Sequence, residues 1–212
     1  NNLMKLKMYQ VDAFANKLFE GNPAAVVILE SLICDDVMQS IASENNLSET
    51  AFISIHENPI SIRWFTPTIE VDLCGHATLA SAKVLFEYYP DLSGDEINFD
   101  SKSGILRVTK SSNELCLDFP VDQPVKSELD PLFIDILGSQ PMELLRGKDD
   151  FLAVFENQEQ IEGMQPNFAL LKKINSRGVV ITAPGNKVDF VSRCFYPEAG
   201  IEEDPVTGSA HT

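Results

Sequence analysis

One segment restricts this chain more than any other. Residues 76–89, HATLASAKVLFEYY, are rich in Ala and Leu, carry little charge and stop at Pro90, the residue type before which helices tend to end. Apolar side chains fall on nearly every face of that helix, so it has no side to give to water and must be wrapped. The sequence around it supplies strands for the wrapping. Residues 4–13 (MKLKMYQVDA) alternate apolar and polar, the mark of a half-buried strand. Gly21-Asn22-Pro23 punctuates a turn, and the unbroken apolar run at 24–29 (AAVVIL) fits a fully buried strand. TAFISI (50–55), SIRWF (61–65) and ELCLDF (114–119) read as strands, and INFD followed by ILRVT has the shape of a hairpin. A second helix is expected from Asp35 and Asp36 as caps, with Ile33, Val37 and Ile41 at four-residue spacing. Strands around a buried helix make an α+β architecture.

The second half carries three strand-like runs, FLAVF (151–155), GVVIT (178–182) and VDFVSRCF (188–195). Pro120, Pro124 and Pro131, with acidic residues between them, mark a boundary, so the halves are read as 1–122 and 123–212. An internal echo relates them. Arg63-Trp64-Phe65-Thr66-Pro67 leads through a short acidic stretch to Gly75-His76-Ala77, and Arg193-Cys194-Phe195-Tyr196-Pro197 leads through another to Gly208-Ser209-Ala210. The echo predicts a second buried helix beginning near Gly208, so residues 123–212 read as a half that stops at the start of its own central helix.

Charge narrows the function. A net charge of −16 argues against nucleic acid and anionic membrane surfaces, which need clustered Lys and Arg. No apolar run approaches the roughly 18 residues of a membrane span, and Met4-Lys5-Leu6-Lys7 lacks the apolar stretch of a signal peptide. With four widely spaced cysteines and no CxxC pair, a cytoplasmic protein with reduced thiols is the expectation. Three histidines and those cysteines supply no closed ligand set, and neither GxGxxG nor GxxxxGK[ST] occurs. No metal and no nucleotide cofactor is therefore expected.

A few residues could carry chemistry. A helix start leaves N–H groups without internal partners, so Gly75 and Gly208 open natural carboxylate or phosphate sites, although every helix has such an end and most bind only water. Glu49 stands where the polar Asn45-Asn46-Leu47-Ser48 enters an apolar strand. It is either a solvated loop carboxyl or a half-desolvated one poised to take and return a proton. Asp204, in Glu202-Glu203-Asp204-Pro205, reads by itself as part of an acidic turn. His76 is either a solvent-facing residue of a first helical turn or a neutral imidazole donating a hydrogen bond. Cys74 is either a small buried hydrophobe or a thiol tuned by the helix start.

The longer stretches VDAFANKLFEGNPAAVV, LSETAFI, RWFTPTIEVDLCGHATLASA and GIEEDPVTGSAH together resemble the phenazine-biosynthesis-like (PhzF-like) family, in that family's order and over residues 4–212. The resemblance implies the diaminopimelate-epimerase fold: two similar halves, each a curved sheet around a central helix, with the site in the cleft between them. It implies Glu49 as the acid/base residue, His76, Asp204 and Ser209 along the substrate pocket, and Gly75 and Gly208 opening the two central helices. It also implies proton movement on a small carboxylated molecule without metal or coenzyme, and a homodimer as the first guess. Related epimerases use two cysteines. Cys74 occupies the first such place, but matching Gly208 to Gly75 puts Thr207 in the second, and its hydroxyl is too weakly acidic for that task. Three readings stay open: a Glu49 isomerase, an epimerase setting Cys74 against Asp204, and an interaction protein with an idle cleft.

Overall fold

The computed structural model describes residues 4–112 and 114–212. The chain divides into two units, one running to Pro120 and including Val206–His211, the other Val121–Pro205.

The first unit is a sheet with strand order β1 (Lys7–Ala13), β2 (Asn22–Leu29), β3 (Glu49–Ser54), β4 (Ile60–Phe65), β6 (Glu96–Ser101), β7 (Gly104–Ser111), β8 (Glu114–Asp118), with the short β5 (Glu70–Val71) beside β4. Helix α2 (Gly75–Tyr88) contacts β1 and β8 at the two ends of this order as well as β2 and β3 between them, so the sheet curls around it. That is the wrapping its sequence demanded. Ala77, Ala80, Ala82, Val84 and Leu85 are buried against Val26, Ile28, Ile62, Phe99 and Val108. The helix also carries two buried hydroxyls, which turn back on its own backbone: Thr78 donates to the Cys74 carbonyl at 2.5 Å and Ser81 to the Ala77 carbonyl at 2.6 Å.

The unbroken run at 24–29 is explained by burial on both faces. Ala24, Val26 and Ile28 face α2, whereas Val27 and Leu29 face the outer helix α1 (Asp35–Asn45) through Met38, Ala42 and Phe52. Asp35 and Asp36 do not cap α1. The N-cap is Cys34, without a side-chain bond, and the two acids occupy the first turn, where Asp35 accepts from Arg63 at 2.8 Å. The guanidinium of a half-buried strand residue outcompetes the backbone amides for that carboxylate.

The second unit has the order β14 (Ile201–Asp204), β13 (Phe190–Tyr196), β12 (Gly178–Pro184), β11 (Asp150–Val154), β10 (Glu143–Arg146), β9 (Val125–Lys126). Helices α3 (Pro131–Leu137), α4 (Gln158–Gly163) and α5 (Phe168–Leu171) pack with it around Phe133, Ile136, Ala153, Phe155, Ile161, Val179, Ile181 and Phe195.

The echo in the sequence is the visible part of a repeated frame. In the first unit β1–β2 is antiparallel, β2–β3 parallel and β3–β4 antiparallel, with α1 on the crossover. In the second, β10–β11, β11–β12 and β12–β13 repeat those directions, with α4 and α5 on the crossover. The registers coincide too: Phe52 lies opposite Arg63 and Ile181 opposite Arg193. Each arginine then forms the same clip. Arg63 donates to Glu70 through Nε at 2.7 Å and Nη2 at 2.9 Å, and Arg193 to Glu203 at 2.7 and 2.8 Å. Each guanidinium also lies 5.2 Å from the ring of the phenylalanine two residues on, Phe65 or Phe195. The protein is α+β, built from two related halves. Gly208 opens a four-residue 3₁₀ turn, Gly208–His211, where the echo predicts the start of an α-helix.

Candidate active site

The local sequence explains how Glu49 is delivered. Helix α1 ends on Asn46, whose left-handed conformation (φ 51°) turns the chain while its N–H bonds the Ala42 carbonyl. Three residues later the chain enters β3, so Glu49 is the first residue of a buried strand and pairs with Ala24. Its exposure is 9%. The start of α2 supplies the other groups. Cys74 is its N-cap, Gly75 and His76 are its first two residues, and His76 is 3% exposed.

Glu49, Cys74 and His76 can each bring one ligating atom within 4.8 Å of the others, although 24 and more residues of chain separate the glutamate from the pair. The three side chains converge on one another. Cys74 Sγ lies 3.4 Å from His76 Nδ1, and Glu49 Oε2 lies 3.4 Å from His76 Nε2, a contact rather than a well-formed hydrogen bond. Burial lowers the His76 pKa to about 4, and a hydrogen bond to the Pro23 carbonyl opposes this shift without reversing it. The ring is thus neutral near pH 7 despite the adjacent carboxylate. The single N–H of the neutral ring serves the Pro23 carbonyl, with the Cys74 thiol at Nδ1 and the Glu49 carboxyl close to Nε2.

Gly75 and Gly208 come together in the first unit. A Cβ built on either glycine would lie 3.5 Å from the other's Cα. The Phe119 ring occupies the space a Cβ at Gly75 would need, so no larger residue fits there without displacing it. Asn22, fully buried, donates to the Val206 carbonyl at 3.0 Å and pins the segment that carries Gly208 and Ser209. The sequence presents Asn22 only as turn punctuation; an asparagine between Gly and Pro gives no local sign of being buried. Ser209 is half-buried in the 3₁₀ turn, and Thr207 just before it is buried. Asp204 belongs to the second unit, where it ends β14, is buried, and lies opposite Cys194.

A curled sheet around a glycine-led helix, with a carboxyl and an imidazole buried at the helix start, gives the chain an epimerase-like fold. The chain belongs to the phenazine biosynthesis-like protein family, whose family model matches residues 11–212. It is 47% identical to an uncharacterized isomerase of Halalkalibacterium halodurans over 99% of this chain and 80% of that relative. The crystal structure of a PhzF-family phenazine biosynthesis protein from Enterococcus faecalis superimposes with a TM-score of 0.89 at 47% identity, covering 98% of this chain and 80% of that one. A predicted epimerase from Pseudomonas aeruginosa, 19% identical with a TM-score of 0.73 over 97% and 78% of the two chains, shares the fold. The protein is an isomerase of this family.

Proposed function

We propose that Glu49 is the general acid/base of a cofactor-independent isomerisation, taking a proton from a small carboxylated substrate and returning it elsewhere. The observation that carries this reading is the burial of the Glu49 carboxyl against a neutral imidazole at the start of a 14-residue helix. Removing a proton beside a carboxylate needs a base held against that carbon and donors facing the charge that grows on the oxygens. Glu49 is the base. The free N–H groups at the start of α2 are donors, assisted by the helix dipole. The two glycines, with no side chains to stand in the way, let a ligand approach that backbone closely. In this reading His76, Ser209 and Asp204 contact the substrate, and the protein acts as a cytoplasmic homodimer.

The test is exchange of C–H protons into deuterated water, followed by NMR across a panel of cyclic and acyclic α-substituted carboxylic acids. Glu49→Gln keeps shape and hydrogen-bonding reach but cannot accept a proton. It should lower exchange by a factor of about a hundred or more, and exchange at the wild-type rate in Glu49→Gln overturns the assignment. The proximity of Cys74 to His76 favours a thiol-based epimerisation as a second reading. That reading requires Cys74→Ala to abolish exchange while Glu49→Gln spares it.

A further inference from the structure

We propose that Glu49, Cys74 and His76 form a binding site for a soft divalent cation, Zn2+ foremost, which shuts off proton transfer by occupying the carboxylate. The binding stands on the geometry of the three side chains; the block rests on the reading of Glu49 as the proton carrier. One ligating atom from each side chain lies within 4.8 Å of the others, and all three residues are buried. Bonds of about 2.0–2.3 Å at tetrahedral angles put ligand atoms about 3.3–3.8 Å apart. Cys74 Sγ and His76 Nδ1 are 3.4 Å apart, as are Glu49 Oε2 and His76 Nε2, so both contacts already fall in that range. The widest pair, within 4.8 Å, needs at most about 1 Å of side-chain movement to join them. Sequence spacing gives no ligand motif here, because the set exists only where the entrance to β3 meets the start of α2.

The chemistry of the donors suits an ion as well as their distances do. A thiolate, a carboxylate and a neutral imidazole together cancel the charge of a dication, which lets the ion sit in a buried place. The ring's N–H serves the Pro23 carbonyl, so the other nitrogen offers its lone pair. A ligating histidine ordinarily hands its remaining N–H to such a carbonyl or carboxylate, which fixes the ring for the metal. Cys74 is the N-cap of α2, where the helix start favours the negative sulfur that a metal binds. Mg2+ and Ca2+ take oxygen ligands, so a set with sulfur and nitrogen selects softer ions. The proton balance is one for one. The S–H bond of Cys74 breaks, a sulfur–metal bond forms, and the proton leaves for solvent, while the imidazole keeps its N–H and Glu49 enters as a carboxylate. The lone pair that would take a proton from substrate is then held by the ion.

The test uses the whole chain, stripped with a chelator, and takes Co2+ and Zn2+ as probes. Co2+ should give the visible bands of a four-coordinate ion and the near-ultraviolet charge-transfer band of a cobalt–sulfur bond. Zn2+ should displace it and Mg2+ should not. Cys34 and Cys116 are exposed thiols that can meet an ion, so Cys34→Ser/Cys116→Ser is titrated beside the wild type and should match it. Losing a group that only orients a ligand costs about 10–100-fold in metal affinity. Cys74→Ala should therefore lose the charge-transfer band and weaken Zn2+ by about a hundredfold or more, measured by competition with a chromogenic chelator. Glu49→Gln should weaken Zn2+ too but keep the band, which separates a lost ligand from a lost fold. In the deuterium-exchange assay one Zn2+ per chain should abolish wild-type exchange. A wild type without the cobalt–sulfur band, or a band that persists in Cys74→Ala, overturns the site and leaves Glu49 standing as the base. Exchange that survives saturation with Zn2+ overturns the block. Exchange at the wild-type rate in metal-free Glu49→Gln removes the base assignment and the block with it, while the ion site stands on its spectrum.

Discussion

Because His76 is buried as a neutral ring, the protein should lose stability in mild acid, and the loss should trace to this one side chain. Its folded pKa of about 4 lies below the ordinary value of 6.5. Between those values the unfolded chain binds the proton and the folded chain does not, so stability rises with pH across the window. The contribution is complete above about pH 6.5 and drains away as pH falls toward 4. At 3% exposure the ring is out of water, so the shift converts without a screening discount: about 2 kcal/mol lost by pH 5 and about 3 kcal/mol by pH 4, relative to pH 7.5. Trp64, the single tryptophan and 1% exposed, reports unfolding by fluorescence. Urea titrations of wild type and His76→Gln at pH 7.5, 6 and 5 should show the wild type losing more stability than His76→Gln, the difference reaching about 2 kcal/mol at pH 5. Asp35, Glu70 and Glu159, which hydrogen bonds with partners hold below the carboxylate norm, fail only at lower pH. They are common to both proteins and cancel in the difference. Equal pH dependence in the two proteins would refute the reasoning. So would a wild type that gains stability toward pH 5, since that would mean the Glu49 carboxylate outweighs burial and the ring charges in place.

The packing yields three further expectations. A Cβ on Gly178 would run into the Tyr196 ring and the Phe195 carbonyl oxygen, so Gly178→Ala should cost about 3 kcal/mol by urea denaturation. Gly163→Ala, with nothing within 4 Å, should be neutral or stabilising by about 0.5 kcal/mol. Leu85→Ala, at a fully buried position inside the curled sheet, should cost about 2–5 kcal/mol, with the spread set by how far the sheet closes on the gap.

Elements whose own residues dictate them were legible in the sequence. The apolar-all-round helix, the two-sided strand at 24–29, the hairpin of β6 and β7 and the alternating β8 all stand where hydrophobic pattern puts them. The misses have local causes. β5 and β9 are two residues long and β10 and β14 four, too short for a period to register. Asp35 and Asp36 carried a capping pattern, but Arg63, 28 residues away in sequence, claims the first of them. The site divides the same way. Glu49 and His76 were each identifiable as residues at an entrance, one to a strand and one to a helix. Their meeting at 3.4 Å depends on β2 and β3 pairing in parallel beside α2, which no local signal encodes. The echo needed the fold as well: five residues of similarity are thin, whereas matching strand directions, register, Arg–Glu clip and Arg–Phe stack are not.

That register match also explains why only one of the two halves reads as an acid/base centre. Aligning Thr50–Phe65 with Val179–Phe195 places Gly178 where the first half has Glu49. The pairing before it agrees, since Ala24 meets Glu49 and Asp150 meets Gly178. Taking Gly208 for Gly75 then puts Thr207 at the Cys74 position and Ser209 at the His76 position. The second copy has therefore exchanged carboxyl, thiol and imidazole for hydrogen, hydroxyl and hydroxyl, none of which titrates near neutral pH. The space a Gly178 side chain would need is taken by Tyr196 and the Phe195 backbone, with Arg177 5.2 Å from the Tyr196 ring and paired to Asp150. A carboxyl could not be restored at 178 without breaking that packing. The repeated frame has two equivalent strand entrances. One holds the buried Glu49 carboxyl and the other the Arg177–Asp150 ion pair.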